Sequence, residues 1–250
     1  PLLSGTPISL LAESHELTIH QVEMLTDRVG WAITRVGAGT DHILFTKDGG
    51  VSWQDVSPPQ PELAQRDTLF ASAGFADQNT AFVHYHGSEL IWTTRDGGIT
   101  WSPAAVTFAS RLGAFFTVLD SQHAWLFQFM EDGMQKVYTA VARTTNGGQT
   151  WETILDPYTD ASIQSFDKTG ALFVSPQEGL LTRDFRGVAM YVNLSLTSDG
   201  GATWENLSIP GPVQDPKIIE NSSCACGLYD PAAESLDKIT ARLSCSCFEE

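Results

Sequence analysis

Four times in this chain an Asx-Gly-Gly turn is followed, three residues after its second glycine, by a tryptophan: Asp48-Gly49-Gly50 with Trp53, Asp96-Gly97-Gly98 with Trp101, Asn146-Gly147-Gly148 with Trp151, and Asp199-Gly200-Gly201 with Trp204. The tryptophans lie 48, 50 and 53 residues apart. A supersecondary unit of about 50 residues is therefore repeated, and the fold must be one that stacks such units.

The chemistry of the turn is readable from its residue types. Asp-Gly and Asn-Gly between β-forming runs are hairpin signals, because a tight reversal needs residues that tolerate positive φ. The Asp or Asn side-chain oxygen can accept from N–H groups inside the turn, and the Ser or Thr two places past the second glycine adds a hydroxyl partner. The tryptophan then opens the outgoing strand with a large apolar surface for a neighbouring unit to cover.

The stretches before each turn repeat more loosely. Asp27 to Ile33, Asp77 to Val83 and Asp120 to Leu126 each lead from a polar turn into a short apolar strand, and Gln177 to Leu181 is a weaker fourth copy. A strand runs into each turn (Ile43 to Thr46, Leu90 to Thr94, Val137 to Thr144, Met190 to Thr197), and an apolar run lies upstream (Leu17 to Met24, Thr68 to Phe75, Gly113 to Leu119, Ser162 to Val174). Each unit thus reads as four antiparallel strands A to D, with the Gly-Gly turn joining C to D. The expected fold is all-β, a propeller of four-stranded blades.

The octets Thr46 to Trp53, Thr94 to Trp101, Thr144 to Trp151 and Thr197 to Trp204 resemble the Asp-box, or bacterial neuraminidase repeat, Ser/Thr-x-Asp-x-Gly-x-x-Trp. Asn146 replaces the aspartate in the third copy. The repeat style is most similar to photosystem II stability/assembly-factor-like propellers, with sialidase-like proteins as wider kin. The resemblance implies a fold rather than a reaction.

The repeats predict a leader over 1–15, blades over 16–60, 61–108, 109–158 and 159–211, and a partial fifth blade over 212–250 that carries two Cys-x-Cys pairs. Only 46 residues follow Trp204, without a fifth Asp-Gly-Gly turn. The expectation is a fragment of a six- to eight-bladed ring; a complete chain with a capping last segment is the alternative. There is no apolar stretch long enough to span a bilayer and no charged-then-apolar leader at Pro1.

With 14 basic and 30 acidic residues the formal charge is −16, which argues against nucleic acid or an anionic membrane as partner. The acidity reads as a solvated exterior. No cofactor is implied, and calcium is the cation such a surface would admit. Cys224, Cys226, Cys245 and Cys247 could face one another from adjacent strands as disulfides in an oxidising compartment; a zinc site lacking C-x2-C spacing, or unpaired thiols, are the alternatives. Asn193, Asn206 and Asn221 fit the glycosylation sequon, which matters in a eukaryotic source.

Sialidase chemistry needs an arginine triad, a tyrosine activated by glutamate, and an aspartate acid/base. The family's Arg-Ile-Pro motif is missing, and Ile33-Thr34-Arg35-Val36 does not replace it. Xyloglucanase-like enzymes use two aspartates that no motif here singles out. Asp48, Asp96, Asn146 and Asp199, with Trp53, Trp101, Trp151 and Trp204, are read as structural. No catalytic residue is assigned.

Strand order puts the D–A and B–C connections at the blade ends opposite the Asp-boxes, and ligand candidates come from the B–C loops, expected near Arg35 to His42, Tyr85 to Glu89, Phe129 to Lys136 and Arg183 to Val188. They are Arg35, Tyr85, His86, Glu89, Glu131, Asp132, Arg183, Asp184 and Arg186. A local ion pair explains the Arg183–Arg186 cluster equally well. His84 and His86 share a strand face and could ligate a metal, though no third ligand is evident. The functional expectation is a non-catalytic extracytoplasmic module binding protein or carbohydrate; a sialidase-like or xyloglucanase-like glycoside hydrolase with catalytic residues partly outside the segment is the rival.

Overall fold

The computed structural model of the protein describes residues 17–37, 39–60, 68–133, 136–165, 167–184, 191–210, 224–235 and 238–247. Every regular element among them is a β-strand. The chain divides into two compact units, Pro1–Gln128 with Ala142–Thr153, and Phe129–Val141 with Ile154–Glu250.

Two complete blades lie in the first unit. β1 (Leu17–Met24), β2 (Gly30–Val36), β3 (Asp41–Thr46) and β4 (Gln54–Asp55) pair in that order, as do β5 (Ala71–Phe75), β6 (Ala81–Tyr85), β7 (Leu90–Thr94) and β8 (Ser102–Ala105). Period-2 alternation puts Trp31 and Ile33 on one face of β2, opposite Phe45 and Ile43 of β3. That face packs on Ala73, Phe75, Ala81, Val83 and Tyr85 of the second sheet. The Trp31 ring stacks on Phe75 at 5.3 Å and 6°. Each such large side chain contributes roughly 1.5–3 kcal/mol by leaving water.

A third sheet pairs β9 (Gly113–Val118), β10 (Ala124–Gly133), β11 (Lys136–Thr144) and β12 (Glu152–Leu155) in sequence order. In the second unit β13 (Asp167–Phe173), β14 (Gly179–Asp184), β15 (Tyr191–Thr197) and β16 (Glu205–Pro210) form a fourth blade. The hairpin of β17 (Cys224–Ser235) and β18 (Lys238–Cys247) joins the same sheet through an Asp184–Gly227 bridge to β14. These two strands are the described part of the 212–250 segment.

A second reversal recurs with the Asp-boxes. In the A–B turns Thr26 Oγ1, Asp77 Oδ1, Asp120 Oδ1 and Ser175 Oγ each accept the N–H groups two and three residues on. The first of these turns is thus anchored by Thr26, one residue before the Asp27 that the sequence pattern suggests. The first box glycine then donates to the adjacent A–B turn: Gly49 to Arg28 O, Gly97 to Asn79 O, Gly147 to Gln122 O and Gly200 to Gln177 O, all at 2.8–2.9 Å. The two reversals of a blade therefore fix each other.

The third B–C loop needs correction. Phe129 to Gly133 continue β10 and Lys136 begins β11, so the described residues of this stretch are strand rather than loop. Pairing persists because Val137 N–H reaches Gln164 O at 2.9 Å and Lys136 bridges Ser165, which gives the extended strand a partner on its other edge.

Candidate functional site

The four boxes share one bonding scheme. Thr46, Thr94 and Thr197 donate to Oδ1 of Asp48, Asp96 and Asp199 at 2.9 Å and accept the second glycine's N–H at 2.8–3.0 Å. The hydroxyls of Ser52, Thr100 and Thr203 close on Oδ2 at 2.6 Å. In the third box Asn146 Nδ2 donates to Thr150 Oγ1 at 2.8 Å, so the amide reproduces the lock with that one donor reversed. Both glycines of every box have φ between +66° and +91°.

Hydrogen bonds from Ser52 hold Asp48 below the ordinary carboxylate value. At Asp96 and Asp199 partial burial works the other way, yet the bonds from Thr100 and Thr203, with their neighbours, prevail and lower the pKa. Carboxylates held anionic by their own turn are structural acceptors.

In the first unit, Arg35 and Asp41 are cross-strand partners joined by a 2.6 Å ion pair. Asp41 is 2% exposed and its Oδ2 accepts Ala71 N–H at 2.8 Å, while the Arg35 guanidinium lies 4.2 Å over the Phe70 ring. The pair staples the first blade to the start of the second. Tyr85, read from sequence as a loop residue, is instead the last residue of β6 and fully buried. Burial first, then the charges of Asp55 and Asp41, push its phenol pKa up. It packs with Ile33 and Ile43 in the apolar core.

His84 is also buried. Its Nδ1 faces Leu90 O at 3.1 Å and so carries the proton, and Nε2 accepts from Ser110 Oγ at 2.9 Å. Burial drives its pKa down to about 4. With both nitrogens engaged, His84 is no metal ligand, which corrects the His84/His86 suggestion. His86 contacts Ser72 Oγ at 2.8 Å and stacks on Phe70. Glu89 is exposed beyond β6. A further pair missed in the sequence is His42–Asp55, at 2.8 Å. The hydrogen bond that His42 donates to the Asp55 carboxylate raises the His42 pKa, although burial opposes it.

In the second unit, Arg183 is 3% exposed and donates to Asn206 Oδ1 at 2.9 Å, to Ser162 O at 3.3 Å and to Ser195 Oγ. Burial lowers its pKa to about 10. Lys168, its cross-strand partner, is brought down to about 7 by burial and by Arg183, and donates to Val137 O at 2.7 Å. Asp184 projects from the opposite face of β14 and bonds Tyr229, so strand alternation separates it from Arg183, and the rest of the Arg183 to Arg186 cluster lies outside the described residues. Arg186 lies outside the described residues, as does Asn221. Asn193 and Asn206, the other sequon residues, bond across β15 and β16 to Ser208 and to Ser195 with Arg183.

A disulfide joins Cys226 to Cys245, and Cys224 and Cys247 are paired in backbone register. Among the described residues no group of three or more His, Cys, Asp or Glu is arranged to hold a metal ion, and no helix is long and apolar enough to cross a membrane.

The projecting end of β10 and β11 carries the remaining candidates. Glu131 and Gly133 alternate onto one face, opposite Lys136 and Tyr138, while Asp132 takes the other. The D–A connection that follows β12 folds against this end. Its Tyr158 lies 5.9 Å from the Tyr138 ring and donates to Glu131 Oε1 at 3.2 Å. Tyr138, Tyr158 and Lys136 are not among the sequence candidates: Tyr138 sits within the apolar run of β11, and Lys136 in the expected B–C stretch is outnumbered by acidic neighbours. The aromatic ring inside the polar run Asp156 to Asp160 was the available signal.

The repeat description BNR/Asp-box matches residues 92–103, which run from the end of β7 through the second box to the start of β8. A search of the curated proteins matched none. Among solved structures, YCF48 from Cyanidioschyzon merolae is similar at 14% identity and a TM-score of 0.51, over 93% of this chain and 62% of that one. A GH74 enzyme from Niastella koreensis is similar at 14% identity and 0.48, over 73% and 28%. A GH74 xyloglucanase from Xanthomonas campestris is similar at 20% and 0.46, over 72% and 28%. The chain thus spans about three fifths of the first relative's length and just over a quarter of the other two. At these identities the likeness concerns fold alone. The chain folds as four-stranded antiparallel β-propeller blades, and its second repeat, over residues 92–103, matches the BNR/Asp-box description.

Proposed function

We propose that the chain is a non-catalytic, extracytoplasmic propeller module that binds a protein or carbohydrate ligand at the blade ends opposite the Asp-boxes. The observation that carries this reading is the projecting β10–β11 end, where Tyr158 remains 55% exposed although its backbone and ring are fixed. An exposed aromatic held in one place favours recognition, because little ordering entropy is left to lose on binding. The non-catalytic part of the reading is supported by the internal bonds that engage Arg35, Asp41, Arg183 and the box carboxylates. The Cys226–Cys245 disulfide supports an oxidising compartment.

The test is to assay the 250-residue chain on a panel of fluorogenic glycosides and to screen it in parallel for ligands by glycan array and cross-linking. Binding without turnover is expected. Turnover abolished by one carboxylate substitution would establish the glycoside hydrolase instead.

A further inference from the structure

Resting on that binding reading, the geometry points to a carbohydrate platform made by Tyr138 and Tyr158, rimmed by Glu131 and Lys136, that takes a short neutral oligosaccharide. Three features of the second unit converge on it.

The first is rigidity. Asp156 Oδ1 accepts Tyr158 N–H at 2.8 Å, Asp156 O accepts Asp160 N–H at 3.0 Å, and Asp160 Oδ1 accepts Ser162 N–H at 2.7 Å. Ile163 is fully buried and anchors the connection. Gln164 then clamps it to β11, with Oε1 accepting Thr139 N–H at 2.5 Å and Nε2 donating to Thr139 O at 3.1 Å. A connection tied down at this many points is not needed merely to span two blades, yet it presents one large aromatic ring outward.

The second is the open space at Gly133 and the exposure of the Tyr158 ring, which is 55% accessible. Gly133 lies beside Tyr138, and a Cβ there would meet nothing nearer than 3.9 Å. An aromatic side chain at that position would extend towards Tyr138, whose Cε2 is among the nearest atoms. The two phenol rings, 5.9 Å apart and inclined at 31°, combine apolar faces with hydroxyls at their edges, suited to a sugar ring with one apolar C–H face and a polar perimeter.

The third is the mixture of donors and acceptors. Glu131 is an acceptor-only carboxylate already aligned by the Tyr158 hydroxyl, while exposed Lys136 on the same face is donor-only. A hydroxyl-rich neutral ligand uses both. A cationic peptide would meet Lys136, and an acidic glycan would meet Glu131 within a chain of net charge −16.

The experiment is titration calorimetry of the 250-residue chain with cellotetraose, maltotetraose, chitotetraose and tetragalacturonic acid. At least one neutral tetrasaccharide is expected to bind and the galacturonate is not. Tyr158→Ala should weaken binding about tenfold or more, Tyr158→Phe by less, and Gly133→Phe should cover the two-ring surface while leaving both tyrosines in the chain. Circular dichroism and thermal melts check that each variant is folded. Binding unchanged in folded Tyr158→Ala and Gly133→Phe, or no neutral sugar bound by the parent chain, overturns the platform. In the latter case a cross-linked protein ligand would leave the binding-module reading standing, whereas glycoside turnover would remove that reading itself.

Discussion

The indole Nε1 of Trp101 donates to the backbone carbonyl of Val56 at 2.8 Å, joining the box of the second blade to the end of the first across 45 residues. The same Val56 fills the space beside Gly98, where a Cβ would fall 2.5 Å from the valine Cβ. A turn that looks local in sequence is thus also the contact surface between sheets.

Gly98→Ala should therefore destabilise by about 2–4 kcal/mol, because it combines a left-handed φ of +85° with a clash against a branched side chain. Gly37→Ala, at φ +59° with nothing within 4 Å, should cost only about 1 kcal/mol. Urea denaturation of both variants measures the difference, and equal losses would show that packing at Val56 is unimportant.

Asp96→Ala removes the acceptor of the Thr94 hydroxyl and of the Thr100 N–H and hydroxyl. An expected loss of about 1–3 kcal/mol follows from the partners left without it. Asp96→Asn should retain most of the stability, since Asn146 already performs the role in the third box. Thermal melts of the two variants provide the comparison.

His84 gives the fold a sensitivity to acid. Its folded pKa of about 4 lies below the ordinary 6.5, so the neutral form is favoured by folding. The contribution is complete above pH 6.5 and is lost as pH falls towards 4, on the order of 3 kcal/mol in all. His42 has the opposite sign: its raised pKa gives stability at low pH that disappears as pH rises through the folded value. Stability curves for His84→Gln and His42→Gln between pH 4 and 8 should flatten in opposite directions.

The Cys226–Cys245 bridge closes a segment of 19 residues. Cys226→Ser should cost about 3 kcal/mol by restoring freedom to the unfolded chain. Hydrogen exchange should quicken in β17 and β18 while β1 to β8 keep their protection; uniform acceleration throughout would contradict a local role.

Much of the fold was legible in advance. The Asx-Gly-Gly reversals are determined by local chemistry, since positive φ and a short side-chain acceptor leave few other conformations. The strands β5, β7 and β9 fall inside runs visible from apolar patterning alone. The candidate site was less legible. Tyr85 and Arg183 have the composition of ligand-binding residues, but a strand end can be buried by a neighbouring sheet that periodicity does not reveal. Phe129 to Gly133 carried polar residues typical of loops, and their pairing depended on a partner near Gln164, some thirty residues later.

The sequence by itself determined the repeating unit, its four strands and the bonding inside each Asp-box, because those follow from interactions between residues within a few positions of one another. Only the tertiary structure decided which polar side chains are engaged internally, as with Arg35 on Asp41, and which aromatic rings are left facing solvent, as with Tyr158. The reason is that burial is set by which sheet lies against which, and that choice sums many weak, non-directional contacts between distant parts of the chain.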